Sequence, residues 1–316
     1  MMVEKVSTAG WSREQWQSWR RKVQTIGGSD AAVVLGLNPY KSPYSLWAEK
    51  TGAVEPEDIS DKEAVRLGND LEEYVAKRWT EKTGKKVCRK NAILSNPEHP
   101  FAHANIDRAV IGEPDAGLEC KTTSSFDMIR KLRAGDIPDS WYCQCMHYMM
   151  VTGADRWYLA VVAFGAGFYE FTIARDNEEI SELASAEKAF YESVLSGKAP
   201  NPDGSTSSLE TISKLMPKSC GRTIDASGVI PHLMAYSTIK KQIAGLEKQL
   251  NEAEANIKAF MGDSEKAVCS GYSVSWKTQE KRTFNREKYE ADYGKIPESY
   301  FKKSTSRPFK VTVKEN

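Results

Sequence analysis

The sequence predicts an α/β fold, and three observations carry that expectation. Helix-period and strand-period stretches follow one another over the first two thirds of the 316 residues. Gly and Pro fall at the ends of those stretches, where chain reversals are expected. The order is helices, two strands, a helix, two strands and a helix, which suits helices covering a central sheet.

Residues 11–22 read as a helix, and TIGGSDAAVVLGL (25–37) as a glycine-bearing turn feeding a short helix. SPYSLWAEKTG (42–52) is a helix closed by Gly52, and residues 60–83 form a longer one ending at Gly84. FAHANIDRAVI (101–111) and AGLECKTT (116–123) read as two strands of one hairpin-like unit. IPDSWYCQCMHYMMVTG is a helix with Pro138 near its start and Gly153 past its end. RWYLAVVAF and GFYEFTIA form a second hairpin around Gly165 and Gly167, and residues 176–196 close the region with a helix.

Three regions follow. Residues 1–196 hold the periodic α/β core. Residues 197–228 are rich in Gly, Pro, Ser and Thr, which is linker chemistry, with LETISKL suited to a short helix. Residues 229–316 are a separate C-terminal module of helix and short strand.

Composition narrows the function classes. Hydrophobic residues are 40% and charged residues 28%, the balance of a soluble globular chain. No run of about 18 apolar residues occurs and the first residues lack a signal-type apolar core, so a cytoplasmic protein without membrane spans is expected. The six cysteines form no CxxC pair, which argues against structural zinc and an iron–sulfur cluster. Formal net charge is +1, so a nucleic-acid partner would need a local basic surface.

The stretch AGLECKTT carries the chemistry. Side chains alternate along a strand, so Glu119 and Lys121 share one face while Leu118 and Cys120 share the other. An acid and an amine facing a core are costly unless paired or given a ligand. A turn around Gly112, Pro114 and Gly117 would return the chain so that Asp107 stands beside Glu119. Two adjacent carboxylates repel, and a divalent cation relieves that; hard oxygen ligands suit Mg²⁺ or Mn²⁺. On the 60–83 helix, Glu72 has Val65, Ala76 and Trp79 among its neighbours, whereas Glu73 has Arg66, Asp70 and Lys77. Glu72 is therefore the acid turned toward the apolar face.

IGGSDAAVVLGLNPYKSPYSLWAEKTG, LGNDLEEYVAKRW, NIDR, GLECKTT and YCQCMHYMMVTG occur in this order over residues 10–175. Together they resemble the YqaJ-type viral recombinase family, which groups with phage lambda exonuclease in the PD-(D/E)xK nuclease superfamily. The resemblance implies a restriction-endonuclease-like core, a central mixed sheet flanked by helices. It implies metal binding by Asp107, Glu119 and the backbone carbonyl of Cys120, with Glu72 as a further metal-site acid and Lys121 as the catalytic lysine. Gln144 and Tyr148 match a Q-x-x-x-Y helix motif that contacts the DNA strand. Ser29 matches a residue that binds a terminal 5′-phosphate, assisted by Arg21 or Lys22. Ile106 precedes the acid where Pro is common in the superfamily, and Met146 stands where a second Gln is frequent.

The implied activity is 5′→3′ digestion of one strand of linear double-stranded DNA, with one or two Mg²⁺ ions per site, leaving 3′ single strands. Implied partners are a RecT- or Beta-like annealing protein and further copies of the chain in a ring, in a phage or prophage setting. The alternatives are a structure- or sequence-specific endonuclease on the same scaffold and a non-catalytic DNA-binding protein.

In the C-terminal module, Ile239, Ile243, Leu246, Leu250, Ala253, Ile257 and Phe260 alternate spacings of four and three, a heptad-like stripe. It suits either a helical hairpin arm or a coiled-coil seam. Tyr272, Val274 and Trp276 alternate with polar residues in a short strand. From Lys277 to Asn316 there are eleven Lys and Arg against six Asp and Glu, a basic tail bearing Phe301 and Phe309 that could follow phosphates or stack on bases.

Overall fold

The computed structural model describes residues 3–22 and 24–312, apart from the side chains of residues 13, 17 and 20–22. The chain divides into two compact units, Met1–Met216 and Pro217–Asn316.

The first unit runs β1 (Glu4–Ser7), α1 (Arg13–Lys22), α2 (Gly28–Val34), α3 (Pro43–Lys50), α4 (Glu63–Thr83), β2 (Val87–Arg89), β3 (Ala92–Ser95) and β4 (His103–Ala104). It continues with β5 (Arg108–Val110), β6 (Ala116–Thr123), α5 (Phe126–Ala134), α6 (Asp139–Thr152), β7 (Arg156–Ala163), β8 (Gly167–Ala174), α7 (Asn177–Ser196) and α8 (Thr206–Leu215). The helix ends obey local chemistry. Ser42 accepts from the Ser45 amide with Pro43 in the first turn, and Asp176 accepts from the amides of Glu178 and Glu179. Gly84 closes α4 in the left-handed region.

Five strands form the central sheet in the order β2-β5-β6-β7-β8. β6 and β7 are parallel, with Glu119 beside Leu159, and the other pairs are antiparallel, so the sheet is mixed. The parallel pair requires a crossover, which α5 and α6 supply. Val75, Ala76 and Trp79 of α4 cover one face, on Val110, Leu118, Tyr158 and Ala160. Met146, Met149 and Met150 of α6 pack with Trp157, Leu159 and Val161 on the other. Because β6 alternates, Leu118 joins the α4 side and Glu119 the α6 side. A central mixed sheet flanked by helices is therefore the observed architecture.

Four local expectations change. The segment 101–111 is not one strand. His103–Ala104 pairs with β3 in a separate β1-β3-β4 sheet, while Arg108–Val110 pairs in the central sheet. Period-two patterning cannot tell which sheet a residue joins. Gly117 is not a turn residue but lies within β6, where a Cβ would come 2.2 Å from Trp157 Cζ2. Its missing side chain is what lets the indole lie over the strand. Helix α5 and strands β1–β3 had no sequence counterpart among the expected elements. The span 197–228 contains α8, the short helix expected at LETISKL, but α8 docks on α3 and is not free linker. Ser45 Oγ bonds Ser207 Oγ (2.7 Å) and Thr211 Oγ1 (2.8 Å), and Ser208 Oγ bonds Ser42 Oγ (2.9 Å). The division between units consequently falls after Met216.

The second unit consists of α9 (Ile230–Met261), the antiparallel hairpin β9 (Lys266–Cys269) and β10 (Tyr272–Ser275), and α10 (Arg286–Tyr293). Lys258 Nζ stands 5.5 Å from the Trp276 ring, so the hairpin's exit meets the C-terminal end of α9. Among the described residues, no helix is long and apolar enough to cross a membrane.

Candidate active site

The site is built where β5 enters the sheet beside β6. Arg108 pairs with Leu118 and Ala109 with Gly117, so the next step outward puts Asp107 opposite Glu119. Asp107 Oδ2 accepts from the Cys120 amide at 2.8 Å, which fixes its carboxylate against β6. Glu119 is 2% exposed and turned toward α6. Its Oε1 takes the Lys121 ammonium at 2.5 Å and the Gln144 side-chain amide at 2.8 Å. Its Oε2 is buried and has no hydrogen-bond partner among the described residues. Such an orphaned carboxylate oxygen is costly in a protein interior.

Helix α6 completes the arrangement. Gln144 accepts from Lys121 Nζ at 2.9 Å and donates to the Tyr148 hydroxyl at 2.7 Å as well as to Glu119. The spacing of four residues puts Gln144 and Tyr148 on one helical face, and that face meets β6. Tyr148 in turn supports α2: a Cβ on Gly28 would lie 2.5 Å from Tyr148 Cε1. A continuous line thus runs from Asp107 and Glu119 through Gln144 and Tyr148 to the first turn of α2, which carries the exposed Ser29. Asp30, the next residue, pairs with Lys50 at 2.9 Å.

The electrostatics follow from burial. Removal from water and the nearby Glu119 charge hold the Asp107 carboxyl well above the usual carboxylate range. Burial alone would lower the Lys121 pKa, but Glu119 and Asp107 outweigh it and raise it, so the amine stays charged. Burial, with the charges of Glu119 and Asp107, raises the Tyr148 hydroxyl far above its ordinary value, so it remains a neutral donor and acceptor.

Glu72 is placed differently. It lies on the α4 side of the sheet and forms a short ion pair with Arg108. Arg108, whose side chain is 3% exposed, also bonds Glu73 Oε2 at 3.0 Å and the Asp107 carbonyl at 2.7 Å. Glu72 is the less exposed of the two acids, but Arg108 gathers both. Among the described residues, no three His, Cys, Asp or Glu side chains form a ready metal-ligand group. Glu119 is the carboxylate that acts most strongly on Asp107, and Glu72 adds a smaller repulsion. Arg21 and Lys22 lie in α1 with their side chains outside the described residues.

Sequence reasoning passed over two groups. Arg108 was signalled only by its place next to Asp107. His147 and Glu187, both 0% exposed, pair at 2.7 Å, and His147 Nε2 faces the His103 carbonyl at 2.9 Å. An apolar helix such as α6 gives little hint that one of its members is half of a buried ion pair.

Fold and site together define an α/β protein in which two carboxylates, an amine and a glutamine meet at a sheet strand under a buried helix. The chain belongs to the YqaJ family, the one its motifs suggested. Residues 15–155 match the YqaJ-like viral recombinase domain. The chain is 38% identical over 305 residues to the uncharacterized protein YqaJ of Bacillus subtilis (strain 168), covering 95% of this chain and 94% of that one. Among solved structures it is similar to the alkaline exonuclease LHK-Exo from Laribacter hongkongensis, with TM-score 0.48 and 17% identity over 58% of this chain and 93% of that one. It is also similar to a phage-related exonuclease from Haemophilus somnus 129PT, with TM-score 0.39 and 15% identity over 55% and 96% of the two chains.

Proposed function

We propose that this chain is a metal-dependent deoxyribonuclease with a PD-(D/E)xK core, digesting one strand of linear double-stranded DNA from its 5′ end. The observation that carries the reading is the buried, unpartnered Oε2 of Glu119 next to the carboxyl of Asp107, with Lys121 on the same strand face. Two carboxylates this close repel in a dry site, and the donor set is all hard oxygen, which fits Mg²⁺ or Mn²⁺. Asp107, Glu119 and the Cys120 carbonyl would hold the ion, with Glu72 available after release from Arg108. The ion would supply positive charge at the phosphodiester and acidify a bound water.

The remaining steps belong to side chains. Lys121, kept charged by Glu119 and Asp107, donates to the attacking water or to a phosphoryl oxygen as negative charge grows there. Gln144 orients both Lys121 and Glu119 through one amide, which fixes the amine relative to the carboxylate. Tyr148 props Gln144 and abuts α2, coupling the cutting centre to the segment that bears Ser29. Ser29, with Arg21 or Lys22, takes the terminal 5′-phosphate in this reading, which gives digestion its direction. The resulting 3′ single strand is the substrate of a RecT- or Beta-like annealing protein, and a ring of copies around DNA would make digestion processive.

The test offers linear duplexes with and without 5′-phosphates, plus Mg²⁺, each strand labelled separately. Shortening of 5′-phosphorylated strands from the 5′ end, with supercoiled circles left intact, supports the reading. Shortening from the 3′ end overturns the polarity, and cutting of circles favours the endonuclease alternative.

A further inference from the structure

In the second unit, α9 carries a long apolar stripe that the described residues of its own unit leave open. Ile239, Ile243, Leu246, Leu250 and Ile257 are each roughly half exposed, and Phe260 is 86% exposed. A 32-residue helix with such a face gains its stability by packing that face against a partner. We propose that this stripe is a self-association seam, in which α9 pairs antiparallel with α9 of a second copy of this chain, centred on Lys248.

The choice of occupant rests on side-chain complementarity. The core spacing of four and three continues without interruption from Ile239 to Phe260, about 32 Å of helix, which is the pattern of a two-helix coiled coil. Antiparallel pairing about Lys248 sets Ile239 against the partner's Ile257, Ile243 against the partner's Ala253, and Leu246 against the partner's Leu250. Each large residue then meets one of fitting size, and the small Ala253 is filled by Ile243. At the ends, Phe260 meets the partner's Tyr236, a ring that Phe309 already flanks at 5.8 Å. A parallel pair would instead stack Ala253 on Ala253, leaving a void, and Phe260 on Phe260.

Charge supports the same direction. Lys240, Glu247 and Glu254 occupy the flanking position one residue after the core residues Ile239, Leu246 and Ala253. In the antiparallel pair Lys240 faces the partner's Glu254 twice by symmetry, and Glu247 faces its own copy as the one like-charge contact. In a parallel pair Glu247 and Glu254 would face Gln242 and Gln249, without an opposite charge to meet. The apolar seam sets the association, and these flanking groups set its direction.

The test is sedimentation velocity of the full chain from submicromolar to tens of micromolar concentration. The wild type is expected to form assemblies with an even number of 35.3 kDa chains. Leu246→Glu with Leu250→Glu, on exposed positions, should halve the stoichiometry while far-ultraviolet circular dichroism keeps its helix signal. Lys240→Glu or Glu254→Lys alone should weaken association several-fold, the two together should restore it, and Glu247→Gln should tighten it. A wild type that stays monomeric, or a stoichiometry indifferent to the leucine changes, overturns the proposal. Dissociation by the leucine changes without any response to charge reversal overturns the antiparallel register.

Discussion

Glu187→Gln breaks the buried ion pair between α6 and α7 with almost no change of shape. His147 and Glu187 are both fully buried, so the carboxylate is the neighbour that keeps a charge on the imidazole. Burial alone would lower the His147 pKa; the Glu187 charge and hydrogen bond outweigh it and raise the pKa above the ordinary value. A raised folded value means the pair stabilises fully below the unfolded pKa of about 6.5 and loses that contribution as pH climbs through the folded value. Each unit of elevation corresponds to about 1.4 kcal/mol. Removing one partner of a buried pair costs about 3–5 kcal/mol, a large share of the ~5–15 kcal/mol that holds a domain together. Urea unfolding of the wild type and Glu187→Gln at about pH 6 and about pH 9 reads this directly, on either side of ordinary histidine titration. The variant should lose about 3 kcal/mol or more at the lower pH and distinctly less at the higher. Equal losses at both values, or a loss below about 1 kcal/mol at the lower, would refute the charged pair.

Further expectations concern the sheet and the acids. Gly117→Ala, which forces a Cβ toward Trp157, should lower stability by about 1–3 kcal/mol in thermal or urea unfolding. Arg108→Met should cost about 2–3 kcal/mol by leaving Glu72 without its cation, while Glu73 keeps its pairing with Arg89. Arg108→Lys should recover less than half of that, because one ammonium cannot span two carboxylates and the Asp107 carbonyl. Asp107→Asn should abolish DNA digestion yet match or exceed wild-type stability without metal, since Glu119 then has no neighbouring carboxylate to repel. The raised Asp107 carboxyl also gives a sign: its contribution to wild-type stability grows as pH falls through its folded value, and Asp107→Asn should remove that pH response.

Much of this arrangement is legible in the sequence. The alternation of GLECKTT placed Glu119 and Lys121 on one strand face, and the structure joins them at 2.5 Å. The four-residue spacing of Gln144 and Tyr148 placed them together, and they bond at 2.7 Å. What stayed hidden was long-range. Nothing local in FAHANIDRAVI says that His103 serves one sheet and Arg108 another, because strand patterning does not name its partner. Helical-face logic ranked Glu72 above Glu73 by burial but could not reveal Arg108, which reaches both from a strand. The role of Gly117 depends on an indole forty residues away in the sequence. The short helix at LETISKL is legible, but its docking on α3 is not, because hydroxyl networks share their composition with loops.

The central claim is that Asp107 and Lys121 act together in phosphodiester cleavage. It is tested most directly by offering end-labelled linear duplex and Mg²⁺ to folded Asp107→Ala, Lys121→Ala and the double variant. Each single change should slow digestion by at least about 100-fold, and the double variant should fall no further than the slower single one, as expected of groups acting as a unit. Undiminished digestion by the double variant would contradict it.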